Sequence, residues 1–170
     1  MSTQDNAQDK VLQVLFICTH NSARSLMAEC LLNSAGKGRF RAHSAGSQPS
    51  GQVQPLALRT LQRLHVPSDG LRSKSWSEFA QADAPAMDFV LTVCDRAAGE
   101  TCPVWPGQPM TAHWGVADPC AVQGSEEEQA EAFRNAALTL KRRIDLMLAL
   151  PVAALDRLSL QRELRNIGGR

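Results

Sequence analysis

The apolar and polar positions of this chain alternate between short strand-length runs and helical stripes. Val11–Ile17 is a nearly continuous apolar run and predicts a strand buried on both faces. Ala23–Ala35 has helical composition and stops at Gly36, which predicts the first helix. Arg39–Ser44 predicts a second strand, ended by Ala45-Gly46. Gln54–Leu64 predicts a second helix with Pro55 in its first turn, where the missing N–H costs nothing. Trp76–Ala80 predicts a short helical turn, and Met87–Val93 a third strand with Cys94 at its end. A Gly- and Pro-rich loop is predicted from Asp95 to Pro109, a short strand over Met110–Trp114, and another loop over Gly115–Gly124. Ser125-Glu-Glu-Glu128 reads as a capping box opening a long helix. Phe133, Ala137, Leu140, Ile144 and Met147 share one face of that helix, and Pro151 closes it. A last amphipathic segment presents Leu160, Leu164 and Ile167.

Strands alternating with helices predict an α/β fold, a parallel sheet covered on both sides. Ligands of such sheets bind at the carboxyl ends of the strands. Cys18 follows the first predicted strand, Cys94 ends the third, and Asp118 follows the fourth, so three chemically capable residues fall on that edge.

The length of 170 residues suits one core, and neither a repeat nor an interdomain linker is visible. Formal net charge is +1, which favours neither nucleic acid nor a membrane surface as partner. No apolar stretch is long enough to span a bilayer. Residues 1–10 are polar and acidic, unlike a signal peptide, and predict a disordered tail and a cytoplasmic protein. Five cysteines at uneven spacing are no disulfide framework; reduced at rest, they suit redox chemistry.

The sharpest chemical signal is Cys18-Thr19-His20-Asn21-Ser22-Ala23-Arg24-Ser25. A cysteine and an arginine bracket five residues at a strand-to-helix junction, which builds a cup for a tetrahedral oxyanion. The helix N-terminus supplies free N–H groups and partial positive charge. That field favours thiolate, so a Cys18 pKa below that of a free thiol is expected. Arg24 can offer a bidentate fork to two oxyanion oxygens, and Ser25 is expected to hydrogen-bond Cys18. His20 is expected to serve through its main-chain N–H, and Cys30 to lie in the core.

Cys94 and Cys102 sit in one turn-rich loop and can hand a disulfide from one to the other; the alternatives are buried loop cysteines or half of a zinc site, and against zinc stand their wide spacing and the absence of a second pair. Asp118, ahead of Pro119, reads alone as an Asx-turn residue and beside an oxyanion cup as a proton donor to a leaving oxygen. Cys120 either faces the site or stands by, and His113 has no partner evident from sequence.

Together these segments resemble arsenate reductases built on the low-molecular-weight tyrosine phosphatase fold. Cys18–Glu29 is similar to their anion loop and first helix; Thr92-Val-Cys94, Cys102-Pro103 and His113–Pro119 are similar to their redox segment and acid loop. The resemblance implies a three-layer α/β/α fold with a four-stranded parallel sheet over residues 11–150, and a helical extension over 151–170. It implies substrate binding by residues 19–25, attack of Cys18 on arsenate, protonation by Asp118, and attack of Cys94 on Cys18 sulfur. Cys102 would then resolve the Cys18–Cys94 disulfide after a shift of the redox loop. No bound cofactor is implied; thioredoxin would supply electrons, with glutaredoxin and glutathione as the alternative because the Cys94–Cys102 stretch is one residue longer than in thioredoxin-coupled members. Phosphate and sulfate are expected to enter the same cup. Some relatives hold potassium beside the loop; Asn21, Glu29 and Ser44 match that pattern, the acidic partner near Ser75 does not, and no metal is expected. A tyrosine phosphatase is the competing activity, but the chain has no tyrosine to wall a phosphotyrosine pocket, and phosphate transfer has no use for Cys94 and Cys102.

Overall fold

A computed structural model of the chain describes residues 10–95 and 105–170. Four parallel strands, β1 (Leu12–Cys18), β2 (Phe40–Gly46), β3 (Phe89–Thr92) and β4 (Met110–His113), form one sheet in the order β2-β1-β3-β4. The central strand β1 buries Val14, Leu15, Phe16 and Ile17 completely, although their side chains alternate between the two faces. Both faces are therefore covered, the α/β/α arrangement expected of a parallel sheet. Each such side chain stabilises the fold by about 1.5–3 kcal/mol relative to exposure.

Four α-helices are defined among the described residues: α1 (Arg24–Ala35), α2 (Pro55–Arg63), α3 (Glu126–Leu148) and α4 (Arg157–Gly168). Helix α1 buries residues on nearly every side, from Ser25 to Leu32, because it lies between sheet and neighbouring helices. Its sequence is accordingly apolar all round rather than striped. Ser125 caps α3 in the predicted capping box, and the predicted face of Phe133, Ala137, Leu140, Ile144 and Met147 is buried. Asp156 caps α4 by accepting from the Ser159 amide at 2.7 Å. Short 3₁₀ turns cover Trp76–Phe79, Pro119–Ala121 and Val152–Ala154.

The last helix packs on this chain's own core. Leu160, Leu164 and Ile167 are buried, and Trp114 Nε1 donates to the Leu164 carbonyl at 2.9 Å. Gly168 lies so close to the His113 carbonyl that a Cβ there would overlap it. The predicted elements thus form in the predicted order, with ends displaced by a residue or two. The predicted tail falls largely on residues outside the described ones, as does much of the predicted Asp95–Pro109 loop, Cys102 included.

Register aligns the chemistry. Cys18 pairs with Gly46, Ile17 with Thr92, and Thr92 with His113. Beyond the strands the ladder continues, the Val93 amide donating to Ile17 and the Val116 amide to Val93. Cys18, Cys94 and the loop after His113 therefore meet at one carboxyl edge. Among the described residues no helix is long and apolar enough to cross a membrane.

Candidate active site

Residues 18–25 curl between the end of β1 and the start of α1. The carbonyls of Thr19, His20 and Ser22 accept from the amides of Gln48, Ser50 and Gln54 on the flanking segment. A trans peptide points its N–H opposite to its C=O. The N–H groups of His20, Asn21 and Ala23 therefore face away from that segment, toward the hollow of the loop. Asn21 takes the left-handed conformation (φ 46°) that closes the curl, one that asparagine tolerates better than most residues. Gly46 backs the loop from β2; a Cβ there would lie 2.5 Å from the Thr19 carbonyl oxygen and 3.0 Å from the Asn21 amide nitrogen.

One directed hydrogen-bond chain reaches Cys18. The Lys74 main-chain N–H can only donate, and it does so to Asn21 Oδ1 at 2.8 Å. That sets the Asn21 amide, whose Nδ2 donates to Ser25 Oγ at 2.7 Å. The Ser25 hydroxyl, its lone pair engaged, has its proton free for Cys18 Sγ, 2.9 Å away. The expected Ser25–Cys18 contact is present, with Asn21 and Lys74 behind it.

Cys18 is only 3% exposed, at the base of a cavity of about 290 Å³ lined also by His20, Arg24, Asp118 and Cys120. Burial pushes its thiol up, and the nearby Cys94 adds to the rise. Hydrogen bonds from Ser25 and the charge of Arg24 oppose the rise without overcoming it. The expectation of a lowered pKa is therefore corrected: removing the sulfur from water outweighs the donors aimed at it.

Cys94 is buried against the cup, its sulfur 3.3 Å from the Thr19 amide and 3.5 Å from the Thr19 hydroxyl. A second cavity of about 470 Å³ runs over Thr19, His20, Arg24, Cys94, Asp95 and the 115–118 loop. Cys18, Cys30 and Cys120 are free thiols.

Two arginines hold the 115–118 loop over the cup. Arg24 Nη1 donates to the Val116 carbonyl at 2.9 Å, and Arg143 of α3 donates to the Gly115 carbonyl at 2.8 Å. Asp118 Oδ2 lies 3.8 Å from Arg24 Nη2, while its Oδ1 accepts from the Cys120 amide at 2.9 Å. Asp118 therefore starts a turn and at the same time faces the cup's arginine. Cys120, partly desolvated beside the Asp118 charge, has its thiol pushed up to about 11. It lines the same cavity as Cys18. Cys30 is buried in the core, and burial raises its thiol to about 12.

Sequence reading missed three residues here. His113 has partners: Nε2 contacts Asp95 Oδ1 at 2.7 Å and Nδ1 contacts Thr92 Oγ1 at 2.8 Å, which ties the residue after Cys94 to β4. Arg143 and Lys74 were invisible because their site contacts lie 28 residues away or more along the chain. Lys74 also decides the potassium question. Its ammonium stands beside two of the residues that match the potassium pattern, 3.6 Å from Glu29 Oε1 and 3.4 Å from Ser44 Oγ. A metal ion placed within reach of both oxygens would meet a positive charge, so these residues do not fit one.

The sequence profile of low molecular weight phosphotyrosine protein phosphatases matches residues 13–163. The arsenate reductase of Halalkalibacterium halodurans is 30% identical over 131 residues, 77% of this chain and 91% of that protein. The glutaredoxin arsenate reductase of Synechocystis is 27% identical, over 81% of this chain and 96% of that protein. An arsenate reductase structure in a phosphate-binding state superimposes with a TM-score of 0.63 at 26% identity, covering 82% of this chain and 98% of the other. A thioredoxin-dependent arsenate reductase of Corynebacterium glutamicum gives a TM-score of 0.54 at 26% identity, covering 84% and 66%.

Proposed function

The chain belongs to the low molecular weight phosphotyrosine protein phosphatase family, and we propose that within it the protein is an arsenate reductase working by a cysteine relay. The observation that carries this reading is the second thiol. Cys94 sulfur sits 3.3 Å from the main chain of the residue next to Cys18, where phosphate transfer has no need of it. Relatives named arsenate reductases, similar over most of their length, support the same reading.

Arsenate enters as the hydrogen dianion and is held by the loop N–H groups and by Arg24, whose contact with Asp118 it replaces. The Cys18 thiol, its ionisation disfavoured by burial, passes its proton to an arsenate oxygen as the sulfur bonds to arsenic. Asp118, released from Arg24, relays a proton from solvent to the departing hydroxyl, which leaves as water. Cys94 then attacks Cys18 sulfur and its proton goes to an arsenic oxygen. The sulfur–arsenic bond breaks with its electron pair on arsenic, reducing As(V) to As(III), and arsenite leaves after taking one more proton from solvent. The product on the protein is a Cys18–Cys94 disulfide. Cys102, outside the described residues, attacks Cys94 and frees Cys18. A dithiol protein of the thioredoxin class reduces the Cys94–Cys102 pair, in keeping with a thioredoxin-dependent structural relative; glutaredoxin with glutathione is the second donor to assay. Phosphate and sulfate compete for the same cup.

Cys94→Ser tests the reading against a phosphatase. Arsenite release should fall to background while hydrolysis of p-nitrophenyl phosphate persists. Unimpaired arsenate reduction in that variant would overturn the relay.

A further inference from the structure

Lys74 is one of very few charged residues buried in the described structure, and its contacts sit directly beneath the cup. Its ammonium donates to the Arg72 carbonyl at 2.9 Å and lies 3.4 Å from Ser44 Oγ and 3.6 Å from Glu29 Oε1. Ser44 also donates to Glu29 Oε1. Ser44 is on β2, two residues before the glycine that backs the loop, and Glu29 is on α1, one turn past Ser25. The ammonium thus joins the strand behind the cup to the helix that begins it. Meanwhile the main-chain N–H of Lys74 orients Asn21, and its carbonyl accepts from Gly46 at 2.9 Å.

Burying an ammonium–carboxylate pair costs desolvation that its Coulomb attraction does not reliably return. Hydrogen bonds to Arg72 and Ser44 take up two of its three donors, but apolar side chains would hold two elements together as well. What they would not supply is a cation that cancels the Glu29 charge behind a cup that must hold a dianion. We propose that the Lys74 ammonium is the cup's built-in monovalent cation: it positions and neutralises Glu29, holds Ser44, keeps the cup closed, and makes oxyanion binding independent of added cations. Lys74 is a positioning residue, since it touches Cys18 only through Asn21 and Ser25. A chain lacking the ammonium keeps every main-chain contact of residue 74 and gains a space, lined by Glu29 and Ser44 oxygens, that fits ammonium or potassium.

The test is inorganic phosphate affinity, measured calorimetrically in choline, ammonium and potassium chlorides at equal ionic strength. Phosphate binding needs only the cup, so this readout survives even if arsenate proves not to be reduced. The wild-type protein should bind equally in all three salts. Lys74→Ala should bind about tenfold more weakly in choline, the size of a lost contact within a coupled network, and recover in ammonium or potassium. Lys74→Ala combined with Glu29→Gln should lose the salt response. If Lys74→Ala does not fold in choline, Lys74→Ser is read in the same way. Affinity that is unchanged in choline, a loss that neither cation repairs in a folded variant, or a cation response in the wild-type protein would each overturn the proposal.

Discussion

Ser25→Ala isolates the hydrogen bond that most directly favours ionised sulfur. Ser25 is fully buried, its hydroxyl lies 2.9 Å from Cys18 Sγ, and it receives a hydrogen bond from Asn21. Two effects follow from its loss. A hydrogen bond to a charged acceptor contributes about 1.5–3 kcal/mol, so the Cys18 thiolate fraction at a fixed pH below its titration should fall about 10- to 100-fold. Asn21 Nδ2 loses its acceptor in a buried setting, which should destabilise the fold by about 1–3 kcal/mol. The Ser25 main-chain N–H, which also favours the thiolate, is untouched by the substitution. The assay is the rate of iodoacetamide alkylation at Cys18, followed by peptide mass spectrometry across pH, with urea unfolding and phosphate affinity measured in parallel. Alkylation should slow at every pH below the plateau, while phosphate affinity changes less than threefold or so, because the main-chain donors remain. An unchanged alkylation profile would refute the role given to the hydroxyl. A loss of phosphate affinity as large as the loss of reactivity would show that the cup had collapsed instead.

Gly46→Ala should lower phosphate affinity about tenfold or more and cost about 1–3 kcal/mol of stability, since its Cβ would meet the Thr19 carbonyl at 2.5 Å and main chain cannot step aside as a side chain does; calorimetry and urea unfolding check both. Cys30 supplies a pH prediction. Its folded thiol is raised by burial from 9.0 to about 12, so above pH 9 the unfolded chain gives up a proton that the folded chain keeps. The stability linked to Cys30 is full below pH 9 and is lost, by about 1.4 kcal/mol per pH unit, as pH rises toward 12. The stability advantage of the wild-type protein over Cys30→Ala should therefore shrink between pH 9 and 11, and a gap that stays constant would contradict the assigned cause.

Local pattern carried far in this chain because its signals are local in origin. The run Val11–Ile17 announced a strand buried on both faces, the capping box at Ser125 and the stripe from Phe133 to Met147 announced α3, and Cys18–Ser25 announced a tight loop between a strand and a helix. Each depends on neighbours within a few residues: peptide geometry, helical period, and the spacing of donors along one turn. Tertiary structure decided what the cup contains. Burial, a property of the whole packed core, raised the Cys18 thiol against the local donors that favour its ionisation. Parallel register carried Cys94 onto Thr19 across 75 residues and joined His113 to Asp95 across 18. It also set Lys74, 53 residues beyond Asn21 and amid an unremarked polar stretch, beneath the loop. Such contacts leave no periodic mark in a sequence, because the chain between the partners is free to take any path that the sheet allows.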